Sequence, residues 1–287
     1  MNTAIECIPC FVRQAAEAVE MSVEDKIGKE HLLRRLLAEI AESDWSVMPV
    51  KIAQMIQRTV RNETGQSDPY RALKDLMNRT ALDLLPVLTD TMRLQQNPLD
   101  AVTRLAIAGN LLDAGAKTRL DPNDLQKHLN TIWDAPMAGS PEDLFRAANK
   151  ADRILYLADN AGEIVFDRLL IEALPTSKIT VAVRGLPVIN DATLIDAKTA
   201  GITQIVPVIA NGSDAPGTLI EECSKEFRSY FNNADLIISK GQGNYETLSD
   251  MPGNIFFLLT VKCPMIAADI GAPIGSLVVK RGKNNKS

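Results

Sequence analysis

The chain has 287 residues, of which 46% are hydrophobic and 23% are charged. This is ordinary globular composition, and it excludes the disordered, collagen-like and disulfide-knot classes. The net charge of −5 and the lack of a basic segment argue against nucleic acid as the main partner. No apolar run reaches the ~20 residues that a bilayer crossing requires. With four cysteines and no recognisable export signal, we expect a reduced, cytoplasmic protein without membrane partners.

The N-terminal third of the sequence is predicted to be helical. Apolar residues recur at helical spacing from about Cys10 to Gln96, and segments 31–40 and 50–60 are typical of amphipathic helices. Ser22 with Asp25 resembles a helix-capping arrangement. Nothing here alternates like a strand, so we expect residues 1–96 to form a helical domain. A helix over 101–108 and a short one near residue 121 are predicted to follow.

From about residue 151 the pattern changes to short apolar runs. They lie at 154–157, 179–183, 205–209, 236–238, 255–259 and 277–279. Most are separated by segments long enough for a helix, such as 163–173, 191–200 and 216–231. Continuous apolar strands that alternate with helices predict a mainly parallel sheet covered on both faces. We therefore expect residues 97–287 to form an α/β domain.

Polar residues and glycines follow four of these predicted strands. In an open parallel sheet, ligands bind beyond the carboxyl ends of the strands, so these residues are candidates for one site. The candidates from the four strand ends are Asp159, Asn160 and Glu163, then Arg184, Asn190 and Asp191, then Lys240, Gly241, Gly243 and Asn244, and finally Lys262.

Three of the candidates have the chemistry of metal ligands. Asp159, Asn160 and Asp191 offer oxygen atoms of the kind that Mg²⁺ and Mn²⁺ accept. The two histidines, His31 and His128, lie on predicted helices away from these loops, which excludes a histidine-rich zinc centre. Either aspartate alone would be more typical of a helix N-cap. It is their joint appearance at successive strand ends that favours a functional site.

Cations and glycines accompany these acids. Lys240, Lys262 and Arg184 would oppose anionic oxygens, and Gly241 and Gly243 would let backbone N–H groups approach them closely. Taken singly, the two glycines or a lysine at a strand end would be a weak signal. In combination with a metal, these groups are typical of a site that polarises a phosphoryl group and activates water.

The close pair Cys7 and Cys10 leaves its role open. The spacing suits half of a zinc site or a redox pair, and it also suits two packed thiols at a helix start. Cys223 and Cys263 are single, so the spacing implies no four-thiolate site.

Six ordered motifs resemble those of the DUF89 family, the metal-dependent damage-control phosphatases, and in particular the stand-alone microbial subfamily with an N-terminal CxxC. The motifs lie at 7–14, 108–113, 158–163, 187–196, 239–246 and 261–263, so the resemblance covers nearly the whole chain. It implies a helical domain joined to a Rossmann-like α/β/α sandwich, with the active site at the carboxyl edge of the sheet.

The resemblance also implies roles for individual residues. The family's metal ligands fall on Asp159, Asn160 and Asp191, which the strand-end argument also selects. Its phosphate-contacting lysine falls on Lys262, and its pocket-lining positions fall on Asn110 and Asp113.

The implied activity is metal-dependent hydrolysis of phosphomonoesters of small, damaged or side-product metabolites such as sugar phosphates. The partner would be a small phosphorylated metabolite, and the cofactor a divalent cation (Mg²⁺, Mn²⁺, Co²⁺ or Ni²⁺). Asp159, Asn160, Asp191 and Lys262 would be catalytic, and the other strand-end candidates would bind the substrate. Two alternatives stay open: a carboxyl methyltransferase that uses S-adenosylmethionine, as described for a eukaryotic branch, and a non-catalytic module that binds a phosphorylated ligand.

Overall fold

The computed structural model describes residues 1–109 and 131–282. The first range forms α1 (Ile8–Ser22), α2 (Lys26–Glu42), α3 (Pro49–Thr64), α4 (Arg71–Arg93) and α5 (Pro98–Ala108). The helices predicted over 31–40, 50–60 and 101–108 are confirmed, and each is longer than predicted. The helix predicted near residue 121 lies outside the described residues. Within the described ranges, none of the helices combines the length and apolar character that a membrane crossing requires.

The second range forms a seven-stranded sheet with flanking helices. Its strands are β1 (Met137–Gly139), β2 (Ile154–Leu157), β3 (Ile179–Val183), β4 (Val208–Ala210), β5 (Leu236–Lys240), β6 (Ile255–Thr260) and β7 (Leu277–Arg281). Its helices are α6 (Pro141–Lys150), α7 (Glu163–Ala173), α8 (Leu194–Thr199), α9 (Lys225–Asn233), α10 (Gln242–Leu248) and α11 (Pro264–Ile270).

The spatial order of the strands is β1-β7-β6-β5-β2-β3-β4. All neighbouring pairs are parallel except β6 and β7, which pair antiparallel. The predicted α/β sandwich with a mainly parallel sheet and an N-terminal helical part is confirmed. Because β2 lies between β3 and β5, the polypeptide segments that follow these three strands emerge side by side at one edge of the sheet.

Three local predictions were wrong. The strand expected over 205–209 covers only Val208–Ala210, because the chain before it makes a short 3₁₀ turn into the core. The helix expected over 216–231 is a 3₁₀ turn at Ile220–Glu222 followed by α9. The cap of α2 is Asp25, whose side chain accepts from the Gly28 N–H at 2.8 Å, whereas the Ser22 hydroxyl donates within α1 to Ala18 O.

Each face of the sheet has its own apolar core. Alternate strand residues such as Tyr156 and Ile238 pack against α5, α6 and α7 on one face. Their neighbours, such as Leu155 and Ile237, pack against α9, α10 and α11 on the other. A third cluster joins α1, α2 and α3.

Helix α4 connects the helical part to the sheet. Tyr70, at its start, belongs to the cluster of α1–α3, whereas Ala81, Leu84 and Leu88 belong to the core beneath the sheet. One helix therefore contributes to both cores. The division of the chain at residue 96 stays a prediction.

Candidate active site

The loops that follow β2 and β3 are joined through their backbones. Asn160 and Asp191 form an isolated antiparallel bridge. The Ala192 N–H donates to Asp159 O at 2.7 Å, and the Ala161 N–H donates to Asn190 O at 2.9 Å. These bonds bring the three predicted metal ligands to one place at the carboxyl edge of the sheet.

Asp159, Asn160 and Asp191 form an acidic group whose side chains are buried and hydrogen-bonded. Arg184 Nε donates to Asp191 Oδ2 at 2.6 Å, and Arg184 Nη2 lies 3.8 Å from Asp159 Oδ1. Asn160 Nδ2 donates to Asp159 Oδ2 at 2.7 Å and to Glu163 Oε2 at 3.1 Å. Because Nδ2 of Asn160 is used as a donor, Oδ1 is the atom of its side chain that could bind a cation, together with the carboxylate oxygens of Asp159 and Asp191.

The electrostatics of the acidic group fit a cation. Burial raises the pKa of Asp159 well above its ordinary value, and the nearby carboxylates of Glu163 and Asp191 raise it further against the opposing charges of Arg184 and Lys262. Ionised acids crowded in a buried place are costly unless positive charge compensates them. A divalent cation among these oxygens would supply that compensation, so the donor set suits the predicted ion.

Gly241 lies directly against Asp159. Its φ is +81° and its ψ is 165°, a combination that is almost exclusive to glycine. A methyl group added there would lie 2.0 Å from Asp159 Oδ2. The absent side chain therefore leaves the space that the carboxylate occupies.

Lys240 lies beneath the acids rather than at the surface. Its ammonium is fully buried and donates to Glu163 Oε1 at 2.6 Å, Asp167 Oδ1 at 2.5 Å and Ala106 O at 2.9 Å. Burial opposes its charge, but the carboxylates of Asp167 and Glu163 outweigh burial and raise its pKa above the ordinary value. Because Glu163 in turn accepts from Asn160, this buried ion network supports the predicted ligands from below.

A cavity of about 280 Å³ opens over the acidic group. The sheet edge contributes Asp159, Asn160, Asn190, Asp191, Gly243 and Lys262 to its lining. Helix α1 and the turn before it contribute side chains that include Cys7, Cys10, Arg13, Gln14 and Glu17. The cavity is thus lined by both the helical part and the sheet edge.

A larger cavity, of about 750 Å³, lies elsewhere and contains none of the predicted site residues. It is lined by residues such as Ala151, Asp235 and Asn254, which precede β2, β5 and β6. It therefore opens at the amino edge of the sheet, where this class of fold does not place its ligands. The smaller cavity is the better candidate because the acidic group forms its floor.

The structure divides the predicted site residues into two layers. Six of them line the cavity, as described above. The other predicted site residues that the structure describes lie beneath or behind the acids, and this position favours a supporting role for them. They are Glu163, Arg184, Lys240, Gly241 and Asn244. Asn110 and Asp113 lie outside the described residues.

Asn244 illustrates the supporting layer. Its Oδ1 accepts from Arg184 Nη1 at 3.1 Å and from Thr218 Oγ1 at 2.8 Å, and its Nδ2 donates to Lys240 O at 2.8 Å. It thereby holds the arginine that holds Asp191. The role of Thr218 is not predictable from the sequence, because a single threonine in a long loop gives no signal.

Residues 1–109 and 131–282 contain no group of three or more His, Cys, Asp or Glu side chains arranged to hold a metal ion. The predicted set has only two carboxylates and relies on the Asn160 amide for its third donor. Cys7, Cys10 and Cys263 all line the cavity as free thiols.

An open, mainly parallel α/β sheet with buried acids at its carboxyl edge, next to a cavity that helices also line, is typical of α/β proteins that bind small molecules. Residues 3–278 match the model of the damage-control phosphatase ARMT1-like domain. The chain belongs to this family, which confirms the resemblance seen in the motifs.

Individual relatives agree with this assignment. A damage-control phosphatase of Pyrococcus horikoshii is 33% identical over 99% of both chains, and one of Archaeoglobus fulgidus is 31% identical over 96% of this chain and 97% of its own. An uncharacterized protein of Methanocaldococcus jannaschii is 34% identical over 96% of this chain and 93% of its own. The crystal structure of a DUF89 family protein from Pyrococcus horikoshii superimposes with a TM-score of 0.89, at 31% identity, over 99% of this chain and 100% of its own.

Proposed function

We propose that this protein is a divalent-metal-dependent phosphatase that hydrolyses phosphomonoesters of small metabolites. The observation that carries the proposal is the convergence of Asp159, Asn160 and Asp191 on one buried point beneath a small cavity. Two relatives of nearly the same length are named damage-control phosphatases, which supports the same reaction class.

In this proposal the oxygens of Asp159, Asn160 and Asp191 hold the cation. A bound divalent ion would supply Lewis-acid polarisation of a phosphate oxygen and lower the pKa of water. Asp159 or Asp191 orients the attacking water and accepts its proton. Arg184, which donates to Asp191 Oδ2 at 2.6 Å, fixes that carboxylate in place.

Lys262 provides positive charge at the cavity. It lines the same space as the acids, and its ammonium opposes the rise in the pKa of Asp159. We assign it to the phosphate oxygens, where it neutralises charge that builds up during transfer. Asn190, which also lines the cavity, is proposed to contact the substrate beside it.

The size of the cavity supports a small substrate. A volume of about 280 Å³ suits a phosphorylated metabolite of the size of a sugar phosphate and not a protein or nucleic acid chain. Helix α1 lines the same cavity as the acids, so we propose that this helix contacts the alcohol part of the substrate, which leaves when the phosphate is released.

The proposal is tested by release of inorganic phosphate from a panel of sugar phosphates, nucleotides and cofactor phosphates. The wild type should lose activity in a chelator and regain it with one or more of Mg²⁺, Mn²⁺, Co²⁺ and Ni²⁺. Asp159→Ala should lower kcat by about 10³-fold or more with its fold intact, because it removes a ligand and a candidate base. Asp83→Ala, which alters an exposed residue of α4, is the matched control.

Full activity of Asp159→Ala, or of metal-free protein, would contradict the proposal. Calorimetry with S-adenosylmethionine, with and without metal, tests the methyltransferase alternative on the same preparation. Tight binding of a phosphorylated metabolite without any turnover would favour the non-catalytic module.

A further inference from the structure

One buried side chain of α4 is hydrogen-bonded to both segments that carry the acidic group. Asn78 Oδ1 accepts from the Gly162 N–H at 2.8 Å, in the loop after β2. Asn78 Nδ2 donates to Asp196 Oδ1 at 2.9 Å, in the first turn of α8 after β3. Asn78 is fully buried, so water cannot replace either bond.

The bond to Gly162 fixes an unusual turn. Gly162 has φ 74° and ψ −54°, a sparsely populated conformation. It directly precedes α7, and only Ala161 lies between it and Asn160. A methyl group on Gly162 would lie 3.1 Å from Met77 Cβ, so the loop turns tightly against α4. Without the Asn78 oxygen, the Gly162 N–H would be buried without an acceptor, and the loop would relax toward another conformation.

The bond to Asp196 ties Asn78 to the second segment. Asp196 Oδ2 accepts from Thr193 N at 2.9 Å and from Thr193 Oγ1 at 2.7 Å, which fixes the chain two residues after Asp191. Arg71 Nη2, also from α4, donates to Asp196 Oδ1 at 2.7 Å and holds the carboxylate from the same side. Asp196 is therefore a rigid partner, and its contact with Asn78 relates the second segment to the first.

We propose that Asn78 is a positioning residue that sets the affinity of the site for its cation. It holds the loop of Asp159 and Asn160 in register with the segment of Asp191 through its bonds to Gly162 and Asp196. The inference rests on the proposed function, since it requires that these residues bind a cation.

The test measures cation binding without turnover. Calorimetric titration of the metal-free protein with Mn²⁺ should give a dissociation constant at least 10-fold weaker for Asn78→Ala than for the wild type. Amide hydrogen exchange at Gly162 should be at least 10-fold faster in the variant. Leu88→Ala is the matched control: this residue is equally buried on the same helix, so it lowers stability, but it should leave both readouts within 3-fold of the wild type.

A second variant keeps the test decisive if Asn78→Ala does not fold. Asn78→Asp keeps an acceptor for Gly162 but loses the donor to Asp196 and brings two buried carboxylates together. Hydrogen exchange at Gly162 should therefore stay within 3-fold of the wild type, whereas Mn²⁺ should bind at least 3-fold more weakly. Wild-type affinity in folded Asn78→Asp overturns the claim that Asn78 links the two segments.

The two proposals fail separately. If the wild type binds Mn²⁺ and Asn78→Ala binds it equally well, the positioning role is wrong and the proposed function stands. If the wild type itself does not bind a divalent cation, the proposed function is contradicted, and this inference fails with it.

Discussion

At the scale of single residues, the site depends on a glycine as much as on the acids. Gly241 follows β5 in a backbone conformation that other residues avoid, and its α-carbon abuts the carboxylate of Asp159. A side chain at this position would displace the acid sideways. The sequence predicts that the backbone at Gly241 approaches an anionic ligand, whereas the group that it approaches in the structure is the carboxylate of Asp159.

We expect Gly241→Ala to weaken Mn²⁺ binding by at least 10-fold, because the new methyl group would occupy the place of Asp159 Oδ2. The backbone conformation should add a stability cost of about 1–3 kcal/mol. Gly271→Ala is the matched control, since Gly271 also has a positive φ, 78°, but nothing lies within 4 Å of the added methyl group. Calorimetry measures the Mn²⁺ affinity of both variants, and thermal unfolding measures their stability. Comparing the two variants separates the displacement of the Asp159 carboxylate from the cost of the backbone conformation. Unchanged cation affinity in Gly241→Ala would show that Asp159 is not a ligand.

Residue types at strand ends were predictable, but their orientation was not. Lys240 alternates with Ile238 along β5, and Ile238 packs in the core beneath α5 and α7. Lys240 therefore points to the same side and is buried against Glu163 and Asp167. The sequence places this lysine at the sheet edge, but the face it points to depends on where the strand ends and which helix covers it.

At the scale of elements, the bounds of two central strands were predicted without a shift. Segments 154–157 and 179–183 match β2 and β3, because a charged residue precedes each apolar run and another follows it within two residues. Helix α7 likewise begins and ends where predicted. β1 was missed because Met137–Gly139 is only three residues long, and its pairing with β7 is a tertiary interaction.

The supporting layer of the site was missed for a related reason. Asn78 is 84 residues away from Gly162 in sequence, and their hydrogen bond exists only once α4 packs against the sheet. Amphipathic spacing predicts that α4 is a helix, but it carries no information about which polar side chain reaches a distant loop. The one signal in the sequence was that Asn78, a polar residue, lies on the buried face of α4.

At the scale of the whole molecule, a charged cluster joins the helical part to the α/β part. Asp214, in the loop between β4 and α9, is 5% exposed. It accepts from Arg58 Nη2 at 2.7 Å and from Gln54 Nε2 at 2.7 Å, and it also pairs with Arg61. All three partners lie on α3, so this carboxylate holds α3 against the sheet domain that carries the acids.

Asp214→Ala should lower the free energy of unfolding at pH 7 by about 1–2 kcal/mol, because it removes an acceptor from the buried Gln54 amide and from Arg61, while the half-exposed Arg58 keeps a bond to Glu222. Burial opposes ionisation of Asp214, but the hydrogen bonds from Arg58 and Gln54 outweigh it and hold the pKa below its ordinary value of 3.8. A lowered pKa contributes stability above pH 3.8 that is lost as the pH falls through the lowered value. The difference between wild type and variant should therefore shrink in acid.

Urea unfolding at pH 7 and at pH 3 measures this difference. Asp90→Ala, which removes an exposed ion pair with Arg93, is the control and should change stability by less than about 0.5 kcal/mol. An Asp214 effect that is equally large at both pH values would mean that lost packing, rather than the charge cluster, accounts for it.

The most direct test of the account is anomalous diffraction from crystals grown with Mn²⁺. We predict a single strong anomalous peak within about 2.5 Å of carboxylate oxygens of Asp159 and Asp191 and of the amide oxygen of Asn160, on the floor of the cavity beside Lys262. A peak at another place, or none at a Mn²⁺ concentration that supports phosphate release, would contradict the assignment of these three residues as the metal ligands.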